Sequence, residues 1–371
     1  YPPYLFENGQ PVKIPGNTRQ DFGCSPRGPE SPANREKRRD REGKAVYSQD
    51  LFDRKIVEFI HQHKDKPFFL YHPSQLPHGP ISIPEIAPEL RHIEGLSDFE
   101  KEYASMVLRL DRTVGLIYQT LAELKLLDDT ILVFVSDNGH ALYYVEEGRC
   151  SGSNADREGR PFDNVFYHYT SARAGDVFDG NNGMSGCKLS SLEGGTRVPY
   201  IIRWPAGCRQ AGQTSDHLLA NYDFMATMAE LLGIPLPSWK DGLSFLNVLR
   251  GETQPCHDFV VFAGVEGPAL VTPDGWKLRY ATAQRLFQLF HLPEDPQENE
   301  NLAADHPQKV RELAQKLLRA CDGNMYHGTA ENHKALRLDE YLSGLGPEDT
   351  FPAHPPRGPQ PRPRERRQPS A

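Results

Sequence analysis

ILVFVSDNGH, residues 131–140, is the stretch of this 371-residue chain that decides its fold. Its first five residues are apolar and include three β-branched side chains, which favours a strand covered on both faces, as in a parallel sheet. Ligand groups gather just past the carboxyl ends of such strands in open α/β sheets. Asp137 and Asn138 stand there, and both offer the oxygen that Ca²⁺ or Mg²⁺ requires. Asp, Asn and Gly also make ordinary surface turns, so this stretch alone leaves both interpretations open.

Composition limits the classes of function. The formal net charge of −8 argues against nucleic acid as the main partner, because binding phosphates needs an excess of Lys and Arg. No apolar stretch approaches the length of a membrane span. The cysteines lack the spacing of a zinc knuckle or a redox motif, so buried free thiols and one or two disulfides are equally open. They are Cys24, Cys150, Cys187, Cys208, Cys256 and Cys321.

Helical and strand patterns alternate along the chain before the central stretch. An apolar helical face over residues 46–64 is followed by an apolar run at 67–71, which predicts a buried strand. Residues 97–100, SDFE, have the capping-box pattern, and a long apolar stripe at helical spacing follows them. Helix then strand, twice over, indicates an α/β fold with a parallel sheet.

The chain is predicted to contain three regions. Residues 1–250 form an α/β domain, with a charged loop insertion at 35–45 and a long polar, Gly-rich loop at 141–185. Residues 251–322 hold short strand-like runs and one helix, which predicts a small α+β subdomain with an antiparallel sheet. Residues 323–371 are polar and then Pro- and Arg-rich, a composition typical of a disordered tail.

Two further loop residues suit an anionic ligand. His78 lies between Pro77 and Pro80, and prolines stiffen a loop whose side chain must meet a substrate without reorganising. Lys188 follows Cys187 in a short connection and offers a compact positive charge. A loop histidine held by a backbone carbonyl and an ordinary exposed lysine are the structural alternatives at these positions. Residues 193–197, EGGTR, are interpreted as a tight turn with an ion pair that serves as scaffold.

The order of these motifs resembles that of the sulfatases of the alkaline phosphatase superfamily. The resemblance covers about residues 46–318 and rests mainly on PFFLY (67–71), PHGP (77–80), SDNG (136–139), GCK (186–188) and EGGTRVP (193–199). It implies an alkaline-phosphatase-like, mostly parallel sheet flanked by helices, with a small C-terminal antiparallel sheet. Residues 1–250 would then be the C-terminal part of the catalytic domain.

The resemblance also implies roles for the four singled-out residues. In that family an Asp-Asn pair after the strand ligates Ca²⁺ or Mg²⁺, and a loop histidine and a lysine contact the sulfate group. Asp137 and Asn138 are therefore the expected metal ligands, and His78 and Lys188 the expected sulfate contacts, with His78 also helping to protonate the leaving oxygen. The implied substrate is a small-molecule or glycan sulfate ester, and the resemblance favours an exported protein, whether periplasmic, secreted or lysosomal.

The departures from the family pattern are equally informative. Sulfatases use a formylglycine nucleophile made from the cysteine of a C-x-P-S/A-R motif, an acidic pair on the first strand and a Lys-x-His segment. Residues 24–27, CSPR, come nearest to that motif, but the arginine is one place early, and we reject them. We therefore expect an N-terminally truncated sulfatase that lacks its nucleophile and is inactive by itself. The alternatives are a phosphoryl hydrolase of the same superfamily and a non-catalytic protein that binds sulfated glycans.

Overall fold

The computed structural model describes residues 1–18, 31–141, 147–152, 155–160, 163–164, 167–209 and 211–326. The segment at 24–27, parts of the loop at 141–185 and nearly all of the tail predicted from 323 lie outside these residues. The chain divides into two compact units, residues 1–257 and residues 258–371. None of the helices in the described ranges is both long and apolar enough to cross a bilayer.

The first unit is a mixture of helices and short strands. Its helices are α1 (Pro32–Arg39), α2 (Ser48–His63), α3 (Asp98–Glu123), α4 (Ser171–Ala174), α5 (Glu193–Thr196), α6 (Asp223–Leu232) and α7 (Leu246–Leu249), with a 3₁₀ turn at Pro88–Leu90. Its strands are β1 (Tyr4–Glu7), β2 (Gln10–Lys13), β3 (Leu132–Val135), β4 (Cys150–Gly152), β5 (Ala155–Asp156), β6 (Asp163–Asn164), β7 (Tyr167–His168) and β8 (Tyr200–Arg203).

The long helix α3 begins where the sequence predicts. The Ser97 hydroxyl accepts from the Glu100 backbone N–H at 3.1 Å, and the Glu100 carboxylate accepts from the Ser97 N–H at 2.7 Å, so both halves of the capping box are present. The helix packs against α2, with Leu121 buried against Ile56 and Ile60. These two helices were predicted at nearly the right positions because each carries its own apolar face.

The predicted parallel sheet around residues 131–135 is not present in the described part of the chain. β3 pairs with β8, and the pairing is antiparallel, with Val135 opposite Tyr200. Within the described residues each of these two strands pairs on one side only. Neither strand is covered on both faces, since Val135 is 43% exposed and Ile201 60%. The chain is nevertheless mixed α/β, as predicted.

Two other predictions of the first unit are wrong. Residues 67–71 were expected to be a buried strand, but they have no strand partner among the described residues, and Phe69 is 73% exposed. The loop insertion at 35–45 begins instead within α1, because Pro at the first turn and a run of Arg, Glu and Lys favour a helix. Arg39 at the end of α1 donates to the Glu102 carboxylate at 2.7 Å, which ties α1 to α3.

The second unit is one antiparallel sheet with a helix packed on it. Its elements are β9 (Val260–Gly264), β10 (Gly267–Val271), β11 (Trp276–Ala281), β12 (Leu286–His291) and α8 (Pro307–Ala320). The strand order is β12-β11-β10-β9. Leu278 and Leu289 face α8 from the sheet and pack with Leu313 and Leu317, and all four are fully buried. This unit has a hydrophobic core of its own.

An ion pair lies inside the second unit. Lys277 Nζ on β11 is 2.8 Å from a carboxylate oxygen of Glu298, and neither side chain is exposed. The ammonium also lies 5.2 Å from the centre of the Phe262 ring. Buried charges are tolerated only when they are paired, so this contact fixes the loop after β12 to the sheet.

We expect Lys277→Met to lower the free energy of unfolding of the protein by about 3–5 kcal/mol, because Glu298 would lose its ammonium partner inside the core. The double variant Lys277→Met/Glu298→Leu should recover most of that loss. Urea unfolding followed by circular dichroism measures both. The control is Lys316→Met, which removes a helix-surface pair with Glu312 and should cost about 0.5 kcal/mol. Equal losses in the two single variants would contradict the assignment.

Candidate active site

The loop after β3 holds the two predicted metal ligands in a closed turn. The Ser136 hydroxyl donates to the Asn138 carbonyl at 2.9 Å, and the Asn138 N–H donates to Asp137 Oδ1 at 2.9 Å. The Asn138 amide donates through Nδ2 to the Gly139 carbonyl at 3.0 Å. The amide nitrogen is thus engaged by its own loop, which leaves the oxygen Oδ1 as the acceptor for another group.

Close packing of glycine backbones joins this loop to a distant segment. The Gly139 N–H donates to the Gly195 carbonyl at 2.9 Å. A Cβ on Gly139 would lie 1.8 Å from the Gly194 carbonyl oxygen, and a Cβ on Gly194 would lie 2.5 Å from that of Gly186. The φ of Gly139 is not positive, so glycine is required at this position for space and not for backbone conformation.

Lys188 is brought to the same loop. Its backbone N–H donates to the His140 carbonyl at 2.6 Å, and its Nζ donates to Asn138 Oδ1 at 3.1 Å. Leu189, directly after it, has a φ of 78°, a left-handed conformation that leucine rarely adopts. The ammonium is thus held beside the predicted metal ligands rather than free in solvent, in contrast to the ordinary exposed lysine that composition alone would suggest.

His78 lines the same groove as Asp137, Asn138 and Lys188. Its Nδ1 donates to the Gly79 carbonyl at 2.5 Å, because a carbonyl can only accept. No contact of the His78 ring with the other three residues is present in the described part of the chain. The structure therefore brings Lys188 and Asn138 into direct contact and places His78 and Asp137 on the same groove.

Sequence reasoning missed the residue that follows Gly139. His140 is 6% exposed at its side chain, its Nδ1 is 3.3 Å from the Tyr103 hydroxyl and its Nε2 is 3.3 Å from Asp176 Oδ2. The buried Tyr169 hydroxyl also donates to Asp176, at 3.0 Å, and burial together with this carboxylate raises the pKa of Tyr169 above its usual range. Asp176 lies within a Gly-rich loop that carries no periodic signal, so no sequence pattern pointed to it.

Glu193 and Arg197 behave as the scaffold that the sequence predicted. Their charged groups are 3.7 Å apart across the single turn of α5. The turn presents Gly194 and Gly195 to the loop after β3, as described above. Elsewhere in the groove wall, burial and then Asp223 raise the pKa of Tyr200 to about 12, so this phenol stays protonated at neutral pH.

The donors at the loop after β3 suit a hard cation. Asp137 offers carboxylate oxygen and Asn138 an amide oxygen, the donor types that Ca²⁺ and Mg²⁺ prefer. Such ions bind six or more oxygens, counting water. In the ranges that the structure describes, no group of three or more His, Cys, Asp or Glu side chains is placed to hold a metal ion. The residues therefore fit part of a cation site.

The groove is much larger than a small-molecule pocket. Its volume is about 2920 Å³, whereas ligand pockets usually measure about 300–1,000 Å³. Besides the site residues, its lining includes apolar residues from 67–71, from both strands β3 and β8, and from α6, among them the exposed Met225 and Leu232. A large exposed apolar surface of this kind is typical of an interaction surface or a ligand-binding groove.

Comparison with known proteins gives consistent matches along the chain. The sulfatase family profile matches residues 6–234, which is more than half of the chain. A second profile, described as the C-terminal part of N-sulphoglucosamine sulphohydrolase, matches residues 188–322. The N-acetylgalactosamine-6-O-sulfatase of Bacteroides thetaiotaomicron is 31% identical over 284 residues, which are 72% of this chain and 50% of that protein.

Two further relatives agree with these matches. Human steryl-sulfatase is 35% identical over 162 residues, 43% of this chain and 23% of that protein. A solved structure from work on glycosaminoglycan metabolism by Bacteroides thetaiotaomicron superposes with a TM-score of 0.57 at 30% identity, over 75% of this chain and 56% of that one. The chain spans half or less of the length of these two curated relatives.

We expect Gly139→Ala to lower the free energy of unfolding by about 1–3 kcal/mol, because the added methyl group meets the Gly194 carbonyl and cannot be accommodated without a backbone shift. Gly115→Ala is the matched control, since nothing lies within 4 Å of a Cβ at this position of α3 and alanine favours a helix. It should raise stability by about 0.5–1 kcal/mol. Thermal or urea unfolding compares the two, and a neutral Gly139→Ala would contradict the close packing.

Proposed function

The chain belongs to the sulfatase family, and from this premise we propose that it carries the sulfate-binding part of the active site of a sulfuric ester hydrolase. The observation that supports the proposal most directly is the hydrogen bond from Lys188 Nζ to Asn138 Oδ1, in a groove that His78 and Asp137 also line. These four residues come from three separate segments of the chain and line one groove.

The charges of this groove suit a sulfate monoester. Such an ester carries a negative charge on its sulfuryl oxygens, and its cleavage develops further negative charge on the leaving oxygen. Lys188 would bind a sulfuryl oxygen as a fixed positive charge, and its orientation would come from Asn138 and from the His140 carbonyl. Because Nδ1 of His78 is bound to the Gly79 carbonyl, Nε2 is the ring nitrogen that would carry a proton to the leaving oxygen.

Asp137 and Asn138 would hold a Ca²⁺ or Mg²⁺ ion together with ligands from elsewhere. When bound, the ion would stabilise negative charge on the sulfate oxygens as a Lewis acid. The donor types fit this role, and the number of donors present is smaller than either ion requires. The remaining ligands and the formylglycine nucleophile are therefore assigned, in this proposal, to polypeptide outside these 371 residues.

Two observations support that completion. The groove is about three times larger than the upper range of ligand pockets, and it exposes apolar residues of β3, β8 and residues 67–71. The curated relatives described above are also at least twice as long as the segments that match this chain. These 371 residues together with the completing polypeptide are here called the completed protein. The 371-residue chain alone is proposed to be inactive.

The relatives guide the proposed substrate class and location. One relative is named for a sulfated amino sugar and another for steryl sulfates, and both alcohols contain rings. We propose a ring-bearing sulfate ester, glycan or small molecule, as the substrate, and an exported protein that acts outside the cytoplasm. The alternatives are a phosphoryl hydrolase and a binding protein without turnover, and an assay with sulfate and phosphate esters distinguishes them from a sulfatase.

We expect the completed protein to hydrolyse 4-nitrophenyl sulfate or N-acetylgalactosamine 6-sulfate in preference to 4-nitrophenyl phosphate. Lys188→Ala should lower kcat/KM by about 100-fold or more, because a fixed charge facing the sulfate is lost. Lys240→Ala is the control, since that ammonium lies over the exposed Trp239 ring. The 371-residue chain alone should show about 10⁶-fold less turnover, as expected when a nucleophile is absent.

Three outcomes of this assay would contradict the proposal. Preference for the phosphate ester would indicate a phosphoryl hydrolase. Binding of sulfated sugars without turnover would indicate a binding protein. Equal rates for Lys188→Ala and Lys240→Ala would remove Lys188 from the site.

A second prediction concerns the cation. Ca²⁺ or Mg²⁺ at about 100 times its dissociation constant should stabilise the completed protein by about 2.7 kcal/mol. Asp137→Asn should reduce this stabilisation, because a charged ligand is replaced by a neutral one. Asp216→Asn, at an exposed position, is the matched control and should leave the effect unchanged. Differential scanning calorimetry with and without the ion measures this without any assay of activity, and identical responses of the two variants would contradict the ligand assignment.

A further inference from the structure

Three aromatic residues, Tyr103, His140 and Phe178, line the groove that Lys188 also lines. The Tyr103 ring lies 5.9 Å from that of His140 and 6.1 Å from that of Phe178, centre to centre. We call these three rings the aromatic wall. The wall is joined to the proposed sulfate-binding groups through His140. The His140 carbonyl accepts from the Lys188 N–H at 2.6 Å, and Asn138 is two residues before His140.

Phe178 is the exposed member of the aromatic wall. Tyr103 is 9% exposed and the His140 side chain 6%, whereas Phe178 is 37% exposed and lines the groove. An apolar ring at the edge of a polar site costs free energy in water unless something covers it. Its neighbour Val177 is also exposed but does not line the groove. Of these two adjacent side chains, only Phe178 can therefore contact a ligand in the groove.

The position of Phe178 is fixed by Asp176. The fully buried Asp176 carboxylate accepts the Phe178 N–H at 3.0 Å through Oδ1 and the Gly180 N–H at 3.1 Å through Oδ2. The same Oδ2 lies 3.3 Å from His140 Nε2. Gly180 lies directly against the histidine ring, where a Cβ would come within 2.7 Å of it. One buried carboxylate therefore clamps the turn that carries Phe178 onto the residue that orients Lys188.

We propose that the aromatic wall is the subsite for the alcohol half of the ester, and that Phe178 selects esters whose alcohol presents the flat face of a ring. The inference rests on the proposed function, since it assumes that the sulfate group lies against Lys188. Aromatic side chains stack on other rings at centroid distances of about 4.5–7 Å, and such contacts add to the gain from apolar burial. The face of a pyranose, an arene or a sterol supplies this shape, whereas inorganic sulfate does not.

The test compares probes with and without a ring in the completed protein. Phe178→Ala should raise KM for 4-nitrophenyl sulfate, N-acetylgalactosamine 6-sulfate or a steroid sulfate by about 10-fold, with little change in kcat. Inhibition by inorganic sulfate should be unchanged, because it contacts only the charged groups. Phe178→Leu, which keeps the apolar volume, should be intermediate and guards against misfolding, and Phe178→Tyr should restore the KM. The ester with the largest change identifies which ring the wall accepts.

Val177→Ala is the matched control, one residue away and outside the groove, and should alter none of these values. Two results would overturn the inference: an unchanged KM for all three esters in Phe178→Ala, or a weakening of inorganic sulfate inhibition equal to the rise in KM. If the completed protein has no turnover, the proposed function fails, and the dissociation constants of inorganic sulfate and N-acetylgalactosamine 6-sulfate, measured by calorimetry, then decide the role of Phe178 alone.

Discussion

The backbone contact between Gly139 and the Gly194–Gly195 pair is the constraint on which the site depends. It joins segments more than fifty residues apart in the sequence, and it exists only because no side chain stands between them. Once these backbones touch, the short loop before α5 places the Lys188 ammonium against the Asn138 amide. Lys188 and Asn138 are thus positioned by backbone packing of residues that carry no functional side chains. The absence of side chains at three glycines thus joins distant segments of the chain, as a metal cluster or a disulfide does in other sites.

Local signals in the sequence were sufficient to predict the helices and hairpins whose stabilising contacts come from nearby residues. The capping box at Ser97 located the start of α3. Gly233, with a φ of 66°, ends α6 in the left-handed conformation that glycine adopts readily. The four strand-like runs of the second unit form a sheet in chain order, since neighbouring runs pair through short turns. One local signal was overlooked: Asn8 and Gly9, both with positive φ, form the turn between β1 and β2.

Features that depend on distant parts of the chain could not be predicted in the same way. The apolar composition of residues 131–135 and 67–71 is typical of strands inside a sheet, with a neighbouring strand on each side. Composition does not indicate which segments of the chain pair with them. The four residues of the proposed site were singled out from their loops because of their distinctive chemistry, and their roles remain a prediction. Asp176 and Phe178 were not singled out, because their importance arises from tertiary contacts with His140 and Tyr103, and nothing in a Gly-rich loop marks a buried carboxylate in advance.

In the part of the chain that the structure describes, β3 and β8 pair only with each other, and this has a consequence for self-association. The backbone groups along a strand edge are a template for pairing with another copy, and the exposed side chains of Val135 and Ile201 add apolar surface to such a contact. Self-association through such edges is faster at high concentration and competes with correct assembly. Self-association of this kind lowers the yield of soluble material.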